Sequence, residues 1–361
     1  MGQGRPTRST RSRAAGGESA VTPVIGAILI LAITILGIAG VLYWGAPMIE
    51  RIQVQNAQIA VVGEFQDLRD ASSVLSVPDH SRFPTIVIPR GEVALQEGSR
   101  IMVTSNRDAG FTNCDFHVTG WADTATPTTV SASTTNCRST GVAVKIYQVS
   151  GATLVEQTVT GSYTVAGADF TAGDWVFRLT HSSDCGSDDI CAEAWLLSGD
   201  RVTWDTDSSA GHHAVSFDSG AIFSDSDGTV FLQTEPSIGD TVFGSGYYGL
   251  WLRSLTASSY NSVDGAGSRQ VYLSLLGNYD RVESSTVSRL RLDISGDLAE
   301  GWCNSLISRN NDLTAAAYVS TPVADCAGDA DGVRSVTFER TGTTPFTFRF
   351  LHARIYASLA I

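Results

Sequence analysis

The sequence predicts an N-terminal transmembrane α-helix with an amphipathic extension, followed by a mainly antiparallel, sandwich-like extracellular β domain. Three observations predict this fold class. Residues 19–49 carry no charge, apolar residues between 52 and 75 recur mostly at three- and four-residue steps, and from about residue 82 apolar and polar residues alternate. We therefore divide the 361 residues into a leader (1–20), a transmembrane and stem helix (21–80) and a β-rich domain (81–361), with a candidate sub-boundary near 205–211.

The uncharged segment is long enough to cross a bilayer. Its apolar run, Val24–Trp44, has 21 residues, and a helix of that length spans about 31 Å, which matches the hydrocarbon core. Four arginines precede the run and favour a cytoplasmic N-terminus, which leaves the rest of the chain outside. Tyr43 and Trp44 stand at its far end, where aromatic rings settle at the lipid–water interface. A cleaved secretory signal has a shorter apolar region, whereas an uncleaved signal anchor remains a competing interpretation.

The stem is predicted to continue beyond Pro47 as an amphipathic helix, with a kink favoured at the proline. Polar residues separate the members of its apolar stripe, which are Ile52, Ile59, Val62, Phe65, Leu68 and Leu75. Such a stripe predicts a helix packed on the chain's own β domain. The alternative is contact with neighbouring subunits, since small residues such as Gly26, Gly37 and Gly40 permit close approach of helices in lipid.

Alternation marks the candidate strands of the outer domain. In residues 289–294, arginine or aspartate alternates with leucine or isoleucine, as expected for a strand with one buried face. The other candidates are Thr85–Pro89, Arg100–Thr104, Val142–Val149, 174–179, Thr229–Gln233, Gln270–Leu276, Ser335–Glu339 and 346–350. Many short strands separated by turn residues predict an antiparallel sandwich or a related β architecture. Ala299–Ser308 and Asp188–Leu197 are candidate helices, and Asp123–Thr140 is a predicted loop.

The six cysteines fall into three neighbouring pairs. Six cysteines allow 15 connectivities, and local pairing is the simplest of them. The predicted disulfides are Cys114–Cys137, Cys185–Cys191 and Cys303–Cys326. Disulfides persist in oxidising places, which agrees with an extracellular domain.

Charge limits the partners of the chain. The formal net charge is −13, and a surface of that sign repels phosphates, so no nucleic-acid partner is expected. Membrane lipid is the partner that the apolar run predicts.

No catalytic motif stands out in the sequence, and we expect that the protein is not an enzyme. His212 and His213 are adjacent, so on a strand they point to opposite faces and do not chelate one ion together. Calcium is the one candidate cofactor, because two segments place paired carboxylates before a glycine turn. Their aspartates are Asp225 and Asp227 in the first segment, and Asp329 and Asp331 in the second.

The start of the apolar run resembles a known signal. Ala20-Val21-Thr22-Pro23-Val24-Ile25-Gly26 follows a polar, arginine-containing leader. It resembles the class III signal peptide of archaeal type IV pilins and archaellins. The resemblance implies that a prepilin peptidase cuts between Ala20 and Val21 and that the apolar helix stays on the mature chain. Pro23 then lies in the first helical turn, where proline is tolerated.

A second stretch carries a similar resemblance. Ala214–Phe223, followed by Thr229–Pro236, resembles the extracellular part of uncharacterised haloarchaeal pilin-like membrane proteins. The resemblance implies a shared secreted β fold and no chemistry.

The sequence therefore predicts a single-pass, membrane-anchored archaeal type IV pilin-like surface protein. It is expected to be a minor filament subunit or an adhesive or structural envelope component, with prepilin peptidase and other pilin-like subunits as partners. A membrane-tethered extracellular binding module that does not polymerise is the alternative, and a tethered hydrolase is a third hypothesis. A minor or free-standing role is favoured because the mature chain is large for a major pilin.

Overall fold

The computed structural model describes most of the chain after the leader. The described residues are 21–75, 80–107, 116–119, 121, 128–132, 142–150, 153–157, 164–168, 174–181, 190–209, 211–235, 247–282, 287–309, 323–329, 332–340 and 347–360. The chain divides into two compact units, Met1–Gln53 and Val54–Ile361.

Two helices and twenty strands make up the described structure. The helices are α1 (Val21–Ser73) and α2 (Ala299–Arg309). The first ten strands are β1 (Ser81–Arg82), β2 (Thr85–Ile88), β3 (Glu92–Arg107), β4 (Phe116–Thr119), β5 (Thr128–Ala132), β6 (Val142–Ser150), β7 (Thr153–Gln157), β8 (Thr164–Ala168), β9 (Trp175–His181) and β10 (Ile190–Ser208). The other ten are β11 (Gly211–Asp218), β12 (Ala221–Ser226), β13 (Thr229–Thr234), β14 (Tyr247–Ala257), β15 (Ser262–Asp264), β16 (Gly267–Val282), β17 (Val287–Ser295), β18 (Val323–Asp325), β19 (Arg334–Glu339) and β20 (Thr347–Ala360).

The first unit contains the apolar part of α1. Every side chain from Val24 to Ile49 is exposed, apart from the intermediate Gly45. By length and composition α1 is able to cross a membrane. The predicted apolar helix is thus present, and the crossing itself stays a prediction. The helix runs through Pro47 without a break.

The stem of α1 packs on the β domain. Val54, Ala57, Val61, Phe65 and Leu68 are buried at steps of three and four residues. All of them except Val54 join a cluster of strand residues that we call the helix-side core, which includes Ile86, Trp204, Phe217, Leu273 and Ile355. The sequence prediction that the stem packs on its own domain is therefore confirmed.

The first residues of the predicted apolar stripe do not lie on the packed face of the stem. Ile59 is 71 % exposed and Ile52 is 49 % exposed, whereas both were expected on the packed face. Successive helical residues are rotated by about 100°, so Ile59 lies about 200° from Ala57 and from Val61. It therefore points away from the helix-side core.

Among the described residues, seventeen strands form one sheet, and β4, β5 and β8 form a second. The pairings are antiparallel except for β14 with β20, which is parallel. The predicted antiparallel β domain is thus confirmed, and a sandwich of two facing sheets stays a prediction. β10 is central, because it pairs with β3, β9, β11 and β14.

Long strands supply side chains to two separate cores. A second cluster, the disulfide-side core, includes Trp195 and Leu197 of β10 together with Trp302 and Cys303 of α2. Further along β10, Val202 and Trp204 enter the helix-side core instead. The first pair has odd numbers and the second has even numbers, so the buried face of β10 switches. The β3–β10 pairing shifts register at the same place, where Gly98 and Ser99 of β3 stand opposite the single residue Gly199 of β10.

Three sequence expectations need correction. Asp188–Leu197 is not a helix, because Ile190–Leu197 opens strand β10 and residues 188–189 lie outside the described residues. The predicted loop Asp123–Thr140 contains strand β5. Residues 205–211 do not divide the chain, because residues 201–208 of β10 pair with β11 as one hairpin inside the unit Val54–Ile361.

Candidate functional site

The predicted processing site lies at the beginning of α1. Val21 is the first residue of the helix, and Pro23 lies in its first turn. Ala20 lies outside the described residues. A Cβ atom added at Gly26 would meet no atom within 4 Å, which leaves this helix surface open to a close neighbour.

The anchor surface is the exposed apolar part of α1. Large side chains such as Ile30, Ile33 and Leu36 are 61–72 % exposed on all sides of the helix. Tyr43 and Trp44, the predicted interfacial residues, are each 80 % exposed. Soluble proteins rarely expose a contiguous apolar surface of this extent, and such a surface is typical of one covered by lipid or by another protein.

One predicted disulfide is present among the described residues. Cys303 of α2 and Cys326 form a disulfide that closes a separation of 23 residues. Cys191 is also disulfide-bonded. The remaining cysteines, Cys114, Cys137 and Cys185, lie outside the described residues.

The first candidate calcium segment is the β12–β13 turn. Asp225 Oδ1 accepts a hydrogen bond from the Gly228 N–H at 2.8 Å. Asp227 Oδ1 accepts one from the His212 N–H at 3.0 Å, and Asp227 itself has a φ of 53°. These carboxylates act as backbone acceptors that stabilise a tight turn.

The second candidate segment behaves in the same way. Asp329 Oδ1 accepts the Val333 N–H at 2.8 Å, and Asp331 lies outside the described residues. Within the described ranges, no group of three or more His, Cys, Asp or Glu side chains is arranged to hold a metal ion.

The two adjacent histidines point to opposite faces, as predicted, but they belong to strand β11 and not to a loop. His212 is exposed and its Nδ1 lies 3.0 Å from Asp207 Oδ1. His213 is nearly buried and bonds Ser226 Oγ at 3.1 Å.

A serine, a histidine and an aspartate that the sequence did not single out lie together inside the domain. Ser254 Oγ lies 3.0 Å from His352 Nε2, and His352 Nδ1 lies 3.6 Å from Asp174 Oδ2. Asp174 Oδ1 also accepts the Ser198 N–H at 3.2 Å. The order of atoms is that of a serine hydrolase triad. The residues come from β14, β20 and the start of β9, which no local motif links.

Burial argues against catalysis by this cluster. Ser254 is 1 % exposed, and His352 and Asp174 are 0 % exposed. The Gly199 backbone covers the serine, because a Cβ added at Gly199 would stand 3.2 Å from Ser254 Cβ and 3.5 Å from its Oγ. An acyl group has no route to the hydroxyl in this structure. We therefore interpret the residues as a structural polar cluster at the point where β10 and β20 pass between the two cores.

Protonation of His352 is predicted to destabilise the fold in acid. Burial, aided by the positive charge of Arg354 and opposed by Asp174, lowers the pKa of His352. The folded chain then holds a neutral imidazole where the unfolded chain already binds a proton. The free energy of unfolding has its full value when the pH is above the ordinary histidine pKa of about 6.5. It decreases as the pH falls toward the lowered pKa, by up to about 1.4 kcal/mol per pH unit.

The measurement is urea unfolding between about pH 7 and about pH 5, where histidine titrates. We expect His352→Gln to flatten the pH dependence in this window, and exposed His212→Gln to leave it unchanged. Burial raises the pKa of Asp218, so its contribution to the free energy of unfolding grows as the pH falls, opposite to that of His352. Both variants retain Asp218, so this contribution cancels when they are compared. An unchanged slope in His352→Gln would contradict the assignment.

No protein-family model, no curated protein and no solved structure matches the chain.

Proposed function

We propose that the chain is a membrane-anchored archaeal type IV pilin-like surface protein, acting as a minor filament subunit or as an adhesive or structural envelope component. One observation carries the proposal. Helix α1 is exposed and apolar over Val24–Ile49, and between Ala57 and Leu68 the same helix contributes buried residues to the helix-side core. An anchor that continues into the core of the domain it holds is the arrangement that the pilin-like N-terminus implies.

The continuity of α1 gives this arrangement a physical consequence. The buried residues of the stem belong to the hydrophobic core, so the stem is part of what stabilises the domain. A cut after the apolar run would leave the stem in place but release the domain. A cut before the run would keep anchor and domain on one helix. The proposed function requires the second kind of cut, between Ala20 and Val21.

The proposed location is the cell membrane, with the N-terminus cytoplasmic and the β domain outside. The four arginines of the leader favour this orientation. The Cys303–Cys326 disulfide supports an oxidising compartment for the β domain. Membrane lipid and the prepilin peptidase are the partners that the proposal names first, with other pilin-like subunits after them.

The alternative is a membrane-tethered binding module that never joins a filament. Ile52 and Ile59 argue against this alternative, because they are exposed on the outer face of the stem and favour contact with further subunits. The proposal excludes the tethered hydrolase, and the covered Ser254 supports that exclusion.

The N-terminal residue of the membrane-bound protein tests the proposal. A mature chain beginning at Val21 agrees with it. A retained leader, or a soluble protein beginning beyond Trp44, contradicts it.

A further inference from the structure

A polar groove lies where three strands meet at the edge of the two cores. It is formed by the Glu97–Arg100 segment of β3, by Arg201 of β10 and by Ser295–Asp297 at the end of β17, and its volume is about 200 Å³. Drug-sized ligands occupy pockets of about 300–1,000 Å³, so this groove suits one small unit. The register shift of β10 between Ser198 and Asp200 falls at this place, and such shifts are frequent beside binding sites.

The groove is lined by equal numbers of positively and negatively charged side chains. Arg100 donates to Glu97 Oε1 at 3.2 Å, and Arg201 donates to Asp297 Oδ2 at 3.0 Å. The arginine side chains are mostly buried, at 17 % and 12 % exposed, and are therefore held in place. The acids are open to solvent, at 65 % exposed for Glu97 and 83 % for Asp297. Mostly buried donors and solvent-exposed acceptors thus line the same small space.

An exposed aromatic ring stands beside these charges. Asp200 is the cross-strand partner of Glu97, and its Oδ1 accepts the Tyr260 hydroxyl at 2.8 Å. Asp200 Oδ2 also accepts the Ala257 N–H at 2.6 Å, which fixes the carboxylate. Although its hydroxyl is bonded, Tyr260 remains 63 % exposed. Burial, the bond to Asp200 and the charges of Asp200 and Glu97 raise the pKa of Tyr260 to about 12, so the hydroxyl stays a donor to Asp200.

We propose that this groove binds a neutral hexopyranose unit of a glycan. The two arginine–carboxylate pairs that line the groove bond the sugar hydroxyls, and Tyr260, which lies beside the lining, covers the C–H face of the ring. A sugar hydroxyl both donates and accepts, so it matches guanidinium donors and carboxylate acceptors placed side by side. The C–H face of a pyranose is apolar and matches an exposed aromatic face.

The balanced charges that line the groove favour a neutral sugar over a charged one. Two cationic and two anionic groups line the groove, so it offers no net attraction to a charged ligand. The chain as a whole carries −13, which repels anionic glycans at long range. The binding activity goes beyond the proposed function and does not depend on whether the chain joins a filament.

The test is saturation-transfer NMR on the full chain, in a detergent without a sugar headgroup. The probes are the methyl glycosides of glucose, galactose, mannose and N-acetylglucosamine, which represent glycan units, with free hexoses and glucuronate for comparison. We expect at least one neutral methyl glycoside to bind, and glucuronate to bind more weakly than methyl glucoside. Loss of the ring in Tyr260→Ala is expected to weaken binding about tenfold. Asp297→Ala is expected to weaken it as well.

Two matched variants control for nonspecific effects. Asp207 is 90 % exposed and lies 3.0 Å from His212, so Asp207→Ala removes a similar exposed, paired carboxylate elsewhere. Phe231 is 53 % exposed and gives a matched aromatic change in Phe231→Ala. Both should bind as the parent does. The inference is overturned if no neutral glycoside binds, if free hexoses bind and the glycosides do not, if glucuronate binds more tightly, or if both groove variants bind as the parent does.

Discussion

Replacement of Phe65 by alanine is expected to lower the free energy of unfolding of the β domain by about 3–5 kcal/mol. Phe65 is 0 % exposed and lies in the helix-side core among residues of α1 and of the sheet. Its removal loses the burial of the ring and leaves a cavity that rigid strands close only in part. Three hydrogen bonds hold the helix in place around it. Glu64 accepts the Val87 N–H at 3.0 Å, Gln58 donates to the Asp225 carbonyl at 3.5 Å, and Gln66 donates to Thr234 Oγ1 at 3.4 Å.

Chemical unfolding of the detergent-solubilised chain measures the effect. Ile59→Ala is the matched control, because Ile59 is 71 % exposed on the opposite face of the same helix. Its effect is expected to stay within about 0.5 kcal/mol. If the two variants unfold alike, the stem is not part of the core and the packing of α1 described above is wrong.

Replacement of three residues of the apolar run by aspartate is expected to keep the chain out of the membrane. Ile30, Ile33 and Leu36 lie near the middle of Val24–Trp44 and are exposed. An aspartate at the centre of a membrane helix costs about 2.5–3.5 kcal/mol, so three of them oppose insertion by roughly 9 kcal/mol. Fractionation of cells should find the triple variant in the soluble fraction or degraded, and not in the membrane.

An apolar triple variant at the same positions, Ile30→Leu, Ile33→Leu and Leu36→Ile, should remain in the membrane. The control keeps the hydrophobicity of the run and changes only its shape. A triple-aspartate protein that still resists extraction from membranes would contradict the anchor, because some other part of the chain would then hold it there.

Sequence patterns were reliable where one face of an element is buried. Residues 289–294 alternate strictly and form the strand β17, and the predicted helix Ala299–Ser308 is α2. The pattern failed at Asp188–Leu197 for a physical reason. Every residue from Ile190 to Leu197 is buried, so side chains on both faces of this part of β10 are covered. A strand buried on both faces has no alternation, and its Ala, Glu and Leu residues suit a helix equally well.

Local sequence patterns could not predict which face of the stem is buried, nor which charged residues lie together. Ile52 and Ile59 are apolar but exposed, so a stripe drawn through them begins on the face of the stem that is not packed. The groove joins residues 97, 201 and 297, and the buried polar cluster joins residues 174, 254 and 352. Only the strand register brings such distant positions together. Gly98 and Gly199 mark the shift at Ser198–Asp200, but a mid-strand glycine indicates a bulge without showing which distant residues meet there.

Identification of the N-terminal peptide of the protein from isolated membranes tests the central claim most directly. The account predicts a chain that begins at Val21 and retains the whole of α1. Ala20→Asp should block the cut and leave residues 1–20 attached, whereas Ala14→Asp, in the leader but away from the cut, should be processed normally. A native protein that retains Gly2–Ala20, or one that is shed with its terminus beyond Trp44, would contradict the pilin-like account and leave only the β domain standing.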